Sequence, residues 1–195
     1  MILKESDDKS VSIALDIIKS NNLLILPTDT IYGIAADANS DIAIRKIYDL
    51  KKRSNKKPIA IFLKNIQEIE QNFILNDLER KIIRKYTPGA ITIILKTKKN
   101  SKFSKLLNQN DDSLAVRIPD QEFCLKLLVN YNNAIAVSSS NMSGEKEIND
   151  VKQLQKKFKD KINLIVEGRI SDNQISSTIV KIESGQLKIL RQGLV

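Results

Sequence analysis

Short continuous apolar runs alternate along this chain with amphipathic stretches of three-to-four spacing. Val11, Ala14, Leu15 and Ile18 share one helical face, which predicts a helix over residues 8–20, with Asp7 and Ser10 available as caps. Leu23, Leu24, Ile25 and Leu26 follow as an unbroken apolar run stopped by Pro27, the signature of a strand buried on both faces. Ile44, Ile47 and Tyr48 predict a second helix from residue 41 to 50 or 51. Pro58 opens a strand at 59–63, and a further helix at 76–85 is closed by Pro88 and Gly89. Beyond it the pattern predicts strands at 90–96, 114–117, 134–138, 162–166, 177–182 and 186–191, with helices near 120–130 and 149–158. The polar tract 98–113 reads as an exposed loop.

Interleaved strands and helices with no Pro/Gly/Ser-rich linker point to an α/β or mixed α+β layer architecture around one twisted sheet. One domain over residues 1–195 is expected, since a chain of this length buries roughly 70% of its unfolded surface without staples. No internal repeat is found.

Composition narrows the chemistry. Cys124 is the single cysteine, so no intrachain disulfide and no cysteine metal cluster can form, and its apolar neighbours Phe123 and Leu125 mark it as a core thiol. Histidine is absent, which removes zinc-histidine sites, Ser-His and Cys-His nucleophile pairs and the usual general base. Carboxylates, lysines, arginines, hydroxyls or a hydrated cation must therefore do the work. The charged N-terminus has no apolar leader core behind it, and no apolar run reaches the roughly 20 residues that span a bilayer. A cytoplasmic protein without a membrane partner is expected. The net charge of +9 favours polyanions in general, but a chain rich in Ile, Lys and Asn acquires such a charge without any function, so charge alone does not establish RNA binding.

Several segments carry candidate chemistry. Pro-Thr-Asp-Thr-Ile-Tyr-Gly at 27–33 brings hydroxyls, a carboxylate and a phenol to the end of a strand, where side chains converge on ligands; the same residues also make an ordinary self-bonded turn. The basic run 51–57 before Pro58 would set Lys51, Arg53 and Asn55 on one side if extended, a fork suited to a triphosphate, or else form a solvated basic face. Ser-Ser-Ser-Asn-Met-Ser-Gly at 138–144 follows a strand with small polar residues able to approach a nucleotide, or is a plain polar loop. Arg117 ends the run Leu-Ala-Val-Arg and is a cation able to hold a carboxylate. Ser177-Thr178-Ile179-Val180 and Arg191-Gln192-Gly193 lie in the last two predicted strands.

Taken in order, these segments resemble the YrdC/TsaC family, marked by P-T-[DE]-T-x-Y-G, K-x-R before a proline, an S-L-A-V-R strand, S-x-N-x-S-G, S-T-[IV]-[IV] and a closing R-x-G. The resemblance implies an α/β fold with a twisted open sheet, its helices packed around a concave basic cavity. It also implies an activity: threonylcarbamoyl-AMP synthesis from L-threonine, bicarbonate or CO2, and ATP with its Mg2+. A separate tRNA threonylcarbamoyl transferase complex would then use the product on the adenosine beside the anticodon. Carried over by motif, Lys51, Arg53, Ser139 and Asn141 grip the nucleotide, with Lys51 and Arg53 as the catalytic cations, and Lys57, Ser113 and Arg191 add ATP contacts. Thr30, Arg117 and Ser177 face threonine, Arg117 pairing its carboxylate, and Tyr32 and Thr28 shape that pocket. Two positions depart from the pattern: Phe62 stands where longer members often have a histidine, and Ser54 where a proline commonly follows the arginine. The chain ends at Val195, soon after R-x-G, so a short single-domain form is expected. Two other functions remain open on the same fold, a binding module for tRNA or double-stranded RNA and a YciO-like hydrolase of acyl or carbamoyl adenylates.

Overall fold

The computed structural model describes residues 1–109 and 111–195. Eleven strands and six helices follow one another as β1 (Ile2–Lys4), α1 (Ser10–Lys19), β2 (Leu24–Leu26), β3 (Gly33–Asp37), α2 (Asp41–Lys51), β4 (Ala60–Phe62), α3 (Ile66–Asn72), β5 (Phe73–Ile74), α4 (Asp77–Tyr86), β6 (Ile91–Thr97), β7 (Ser113–Arg117), α5 (Glu122–Tyr131), β8 (Ile135–Ser139), α6 (Val151–Lys157), β9 (Leu164–Glu167), β10 (Thr178–Glu183) and β11 (Gln186–Arg191) among the described residues. The expected mixed architecture is found. One sheet runs in the order β1-β9-β2-β3-β8-β4-β7-β6-β10-β11, with β5 added beside β6. It mixes parallel pairs such as β4/β7 and β6/β10 with antiparallel pairs such as β3/β8 and β6/β7.

The continuous apolar runs are explained by burial on both faces. Ile25 packs into a core with Ile44 and Ile47 of α2 and Ile82 and Ile83 of α4. Its neighbours Leu24 and Leu26 point the other way, into a second core with Ala14 and Ile18 of α1 and Phe123, Leu127 and Leu128 of α5. The second core draws strand residues from β2, β3, β4, β8 and β9, and none from β6, β7, β10 or β11. The α1/α5 layer therefore stops halfway across the sheet. Beyond its edge the same sheet face is open, and the candidate site lies there.

Capping follows local chemistry. Ser40 caps α2, and Asn76 with Glu79 closes a reciprocal capping box on α4. Lys9 rather than Asp7 or Ser10 occupies the N-cap of α1, without a side-chain cap, because Asp7 accepts from the Lys4 amide instead. The tract 98–113 is less loop-like than expected. Phe103 stacks on Phe73 with ring centres 5.8 Å apart, Lys105–Leu107 forms a 3-10 turn capped by Ser104, and Leu107 is fully buried. Position 110 of that tract lies outside the described residues. Among the described residues no helix is long and apolar enough to cross a membrane.

Candidate active site

A cavity of about 180 Å³ opens on the uncovered half of the sheet, between the 28–33 segment, β4, β6, β7, β8 and the start of β10. Its floor is set by strand alternation: Ile91 and Ile93 point into the core, so Thr92 between them points into the cavity, as do Ala115 and Arg117 on β7.

The 27–33 segment is both a turn and a wall. The Thr28 hydroxyl donates to the Ile31 carbonyl at 2.7 Å and accepts from the amides of Thr30 and Ile31, so Thr28 is spent in folding the turn. Its Oγ1 also lies 2.9 Å from Thr30 Oγ1. That oxygen in turn accepts from Arg117 Nη1 at 3.0 Å. Arg117 is buried, donates to the Gly89 carbonyl and to Asp29 Oδ1, and lies over the Phe62 ring at 5.5 Å. Its guanidinium keeps further N–H donors for an incoming carboxylate. Beside it, Thr92 Oγ1 and Ser177 Oγ are 2.7 Å apart.

Arg53, Ser139 and Arg191 also line the cavity. Arg191 donates through Nε and Nη2 to the Ser177 carbonyl and through Nη2 to the Ser177 hydroxyl at 3.3 Å, which ties the last strand to the wall formed by Thr92 and Ser177. Arg53 donates to the carbonyls of Lys57 and Pro58 and is half-buried. The basic run is not extended. Lys51 is the last residue of α2 and Lys52 takes a left-handed conformation with φ of 48°, so Lys51 turns inward while Arg53 reaches the cavity.

Lys51 is fully buried behind the cavity wall, and its ammonium donates to the carbonyls of Ser139 and Asn141 and to Asn141 Oδ1. Asn141 Oδ1 also accepts from the Ser139 hydroxyl at 2.6 Å. The K-x-R and S-x-N motifs are thus brought together, but Lys51 and Asn141 act from behind, holding the loop that presents Ser139. Burial pushes the Lys51 pKa down to about 7, helped by the charge of Arg53 and opposed by Glu147.

Two other expected residues, Lys57 and Ser113, lie outside the cavity lining. Lys57 contributes only its carbonyl, accepting from Arg53 and Tyr48, while its side chain is exposed outside the cavity. Ser113 lies on the same sheet face as Ala115 and Arg117 but beyond the cavity, its hydroxyl bonded to Asp111. Tyr32 turns its ring into the core, and its hydroxyl donates to the Gly168 carbonyl at 2.9 Å and accepts from the Gly168 amide at 3.1 Å. Tyr32 thus lines the cavity as expected, while its hydroxyl anchors the 168–177 segment. Thr92 and the counterion role of Asp29 were not foreseen, although a threonine within Ile-Thr-Ile-Ile-Leu is a polar break in a strand and marks a lined face. Ser54 shapes a turn, its carbonyl accepting from the Lys57 amide.

Comparisons with known proteins place the chain among named relatives. A Methanocaldococcus jannaschii protein named as a putative threonylcarbamoyl-AMP synthase is 33% identical over 178 residues, 91% of this chain and 83% of its own length. The threonylcarbamoyl-AMP synthase of Pyrococcus abyssi is 26% identical over 96% of this chain, which spans 55% of that protein. The chain thus covers about half the length of that longer relative. Among solved structures, Sua5 of P. abyssi complexed with L-threonine superposes with a TM-score of 0.91 at 25% identity, over 99% of this chain and 57% of that one. Escherichia coli YciO shares the fold with a TM-score of 0.88 at 17% identity, over 100% of this chain and 94% of that one. The Sua5/YciO/YrdC family model, described as telomere recombination, matches residues 16–193, and the chain belongs to that family.

Proposed function

We propose that this chain is a threonylcarbamoyl-AMP synthase, joining L-threonine, bicarbonate or CO2, and ATP into L-threonylcarbamoyl-AMP and pyrophosphate. The observation that carries this reading is the lining of one cavity, in which the buried Arg117 stands with the hydroxyls of Thr30, Thr92 and Ser177, and Arg53, Ser139 and Arg191 join them, Arg191 bonded to Ser177. A buried arginine among hydroxyls suits the carboxylate and side-chain hydroxyl of an amino acid, and two guanidinium groups beside a serine suit phosphates. The names of the relatives and the threonine-bound P. abyssi structure support the same pairing.

The chemistry this geometry favours needs no histidine. The threonine amine adds to CO2 and loses a proton, giving a carbamate. A carbamate oxygen then attacks the α-phosphorus, the bond to the β-phosphate oxygen breaks, and pyrophosphate leaves with that electron pair. Arg117 and Thr30 fix the amino acid so that its carbamate points along the cavity, while Arg53 and Arg191 meet the charge that gathers on the phosphates. Lys51 keeps Ser139 in place through the 139–141 loop. A Mg2+ carried by the nucleotide phosphates and water would offset their charge. The product is a mixed anhydride, suited to a transferase that moves the threonylcarbamoyl group to the tRNA adenosine beside the anticodon.

The test is chromatography of the chain incubated with ATP, Mg2+, bicarbonate and threonine. A new adenylate that appears only with threonine supports the reading, and its absence overturns it. Arg53→Ala should weaken ATP binding by about tenfold to a hundredfold, the worth of a charge-assisted hydrogen bond. Unchanged affinity would remove Arg53 from the nucleotide site.

A further inference from the structure

Just outside the cavity lining, against Ser176, stands a carboxylate that the proposed reaction does not use. Glu147 lies in the turn after Asn141, and that turn is pinned on both sides. Asn141 Nδ2 donates to the Glu145 carbonyl at 2.6 Å, and the Ser140 hydroxyl donates to the Ile148 carbonyl at 2.7 Å. Asn149 Oδ1 accepts from the Tyr32 amide. So held, the exposed Glu147 side chain accepts from the hydroxyl of Ser176, a residue of the cavity wall, at 3.3 Å. The next residue, Ser177, is the one whose carbonyl receives Arg191. The negative field of Glu147 reaches both Lys51 and Arg191. Its neighbour Glu145 is used differently, paired with Lys157 at 2.7 Å, whereas Glu147 has no salt bridge among the described residues.

A carboxylate at the rim of a phosphate site weakens binding of a bare polyphosphate, since like charges repel at short range in a partly dehydrated cleft. It becomes favourable only when the polyphosphate brings a divalent cation, because magnesium bound to phosphates takes one or two carboxylates readily, directly or through water. We propose that Glu147 makes this site select the magnesium complex of a nucleoside triphosphate and reject the metal-free nucleotide. The residue is a specificity determinant acting on the charge state of the ligand, and the proposal rests on the nucleotide reading of the cavity given above.

Calorimetric titration of the full chain with ATP, once in excess Mg2+ and once in a metal chelator, tests it, with Glu147→Gln and Glu147→Lys beside the unaltered chain. The unaltered chain should bind the magnesium complex about tenfold more tightly than metal-free ATP. Glu147→Gln should bring that ratio close to one, chiefly by strengthening metal-free binding, and Glu147→Lys should invert it. A ratio that is the same in all three proteins overturns the role of Glu147 while leaving the nucleotide site standing. If the unaltered chain binds ATP in neither condition, the nucleotide reading itself fails and the proposal falls with it. Because Glu147 is exposed, both variants should fold, and equal melting temperatures without ligand confirm that comparison.

Discussion

Arg117 Nη2 and Asp29 Oδ1 stand 2.7 Å apart, so the cation proposed to meet the threonine carboxylate has a counterion within the fold. Asp29 comes from the Pro-Thr-Asp-Thr turn and Arg117 from the end of β7, and their contact fixes the turn against the sheet. Removing one member of such a pair leaves a charge buried and unmatched. Asp29→Asn should cost about 3 kcal/mol of stability in a denaturant titration with an unchanged m-value. It should also tighten threonine binding, because the substrate carboxylate no longer competes with Asp29. Unaltered stability would show that the pair does not hold the turn.

Lys51 makes the protein pH-sensitive in a defined direction. Its folded pKa, lowered from 10.5 to about 7, means that between these values the unfolded lysine keeps a proton that the folded one has lost. Unfolding then takes up a proton, and stability gains as pH rises through that window, by at most about 1.4 kcal/mol per pH unit. Nucleotide phosphates favour the charged lysine, so ATP affinity should be flat below pH 7 and fall as pH rises above it. Calorimetry across this range, with Lys51→Met as the flat control, checks both signs.

Gly193 gives the closing R-x-G motif a physical reason. A Cβ there would lie 2.3 Å from the Ser176 carbonyl oxygen and 2.5 Å from the Thr178 nitrogen, both backbone atoms that cannot swing aside. Gly193→Ala should therefore push the tail off the start of β10, costing about 1–3 kcal/mol as other overpacked contacts do. Because Arg191 donates to Ser177 beside this point, threonine affinity should fall in the same variant. Normal stability with normal threonine affinity would contradict the packing account.

Tyr32→Phe separates anchoring from substrate contact. The Tyr32 hydroxyl makes two hydrogen bonds to Gly168, and its loss leaves that backbone pair without its partner. A loss of about 1–3 kcal/mol is expected. The threonine KM should rise with little change in kcat, since the 168–177 segment loosens while the reacting groups stay in place. A large fall in kcat at unchanged stability would show that the Tyr32 hydroxyl acts on the substrate rather than as an anchor.

The helices and central strands were legible because their burial imposes a period: Ile44, Ile47 and Tyr48 repeat as a helix must, and Leu23 to Leu26 run unbroken as a strand covered on both faces does. β1 and β3 escaped notice for opposite reasons. Ile2–Lys4 is too short to show a period and forms only because β9 lies beside it, and Gly-Ile-Ala-Ala-Asp has little strand propensity yet sits between β2 and β8. Helix α3 and β5 have the same cause, since a short amphipathic turn and a two-residue pairing gain their stability from the tertiary fold. The site was legible as an ordered set of motifs, but not the direction in which each side chain points. A lysine at the last turn of a helix and an arginine two residues later look like one fork in the sequence; the left-handed Lys52 between them sends one behind the wall and the other into the cavity.

Pyrophosphate release, measured with threonine, bicarbonate and ATP each omitted in turn, tests the central claim most directly. The account predicts release only when all three are present with Mg2+, in amounts matching a threonine-containing adenylate. Release of equal size without threonine or without bicarbonate would contradict it.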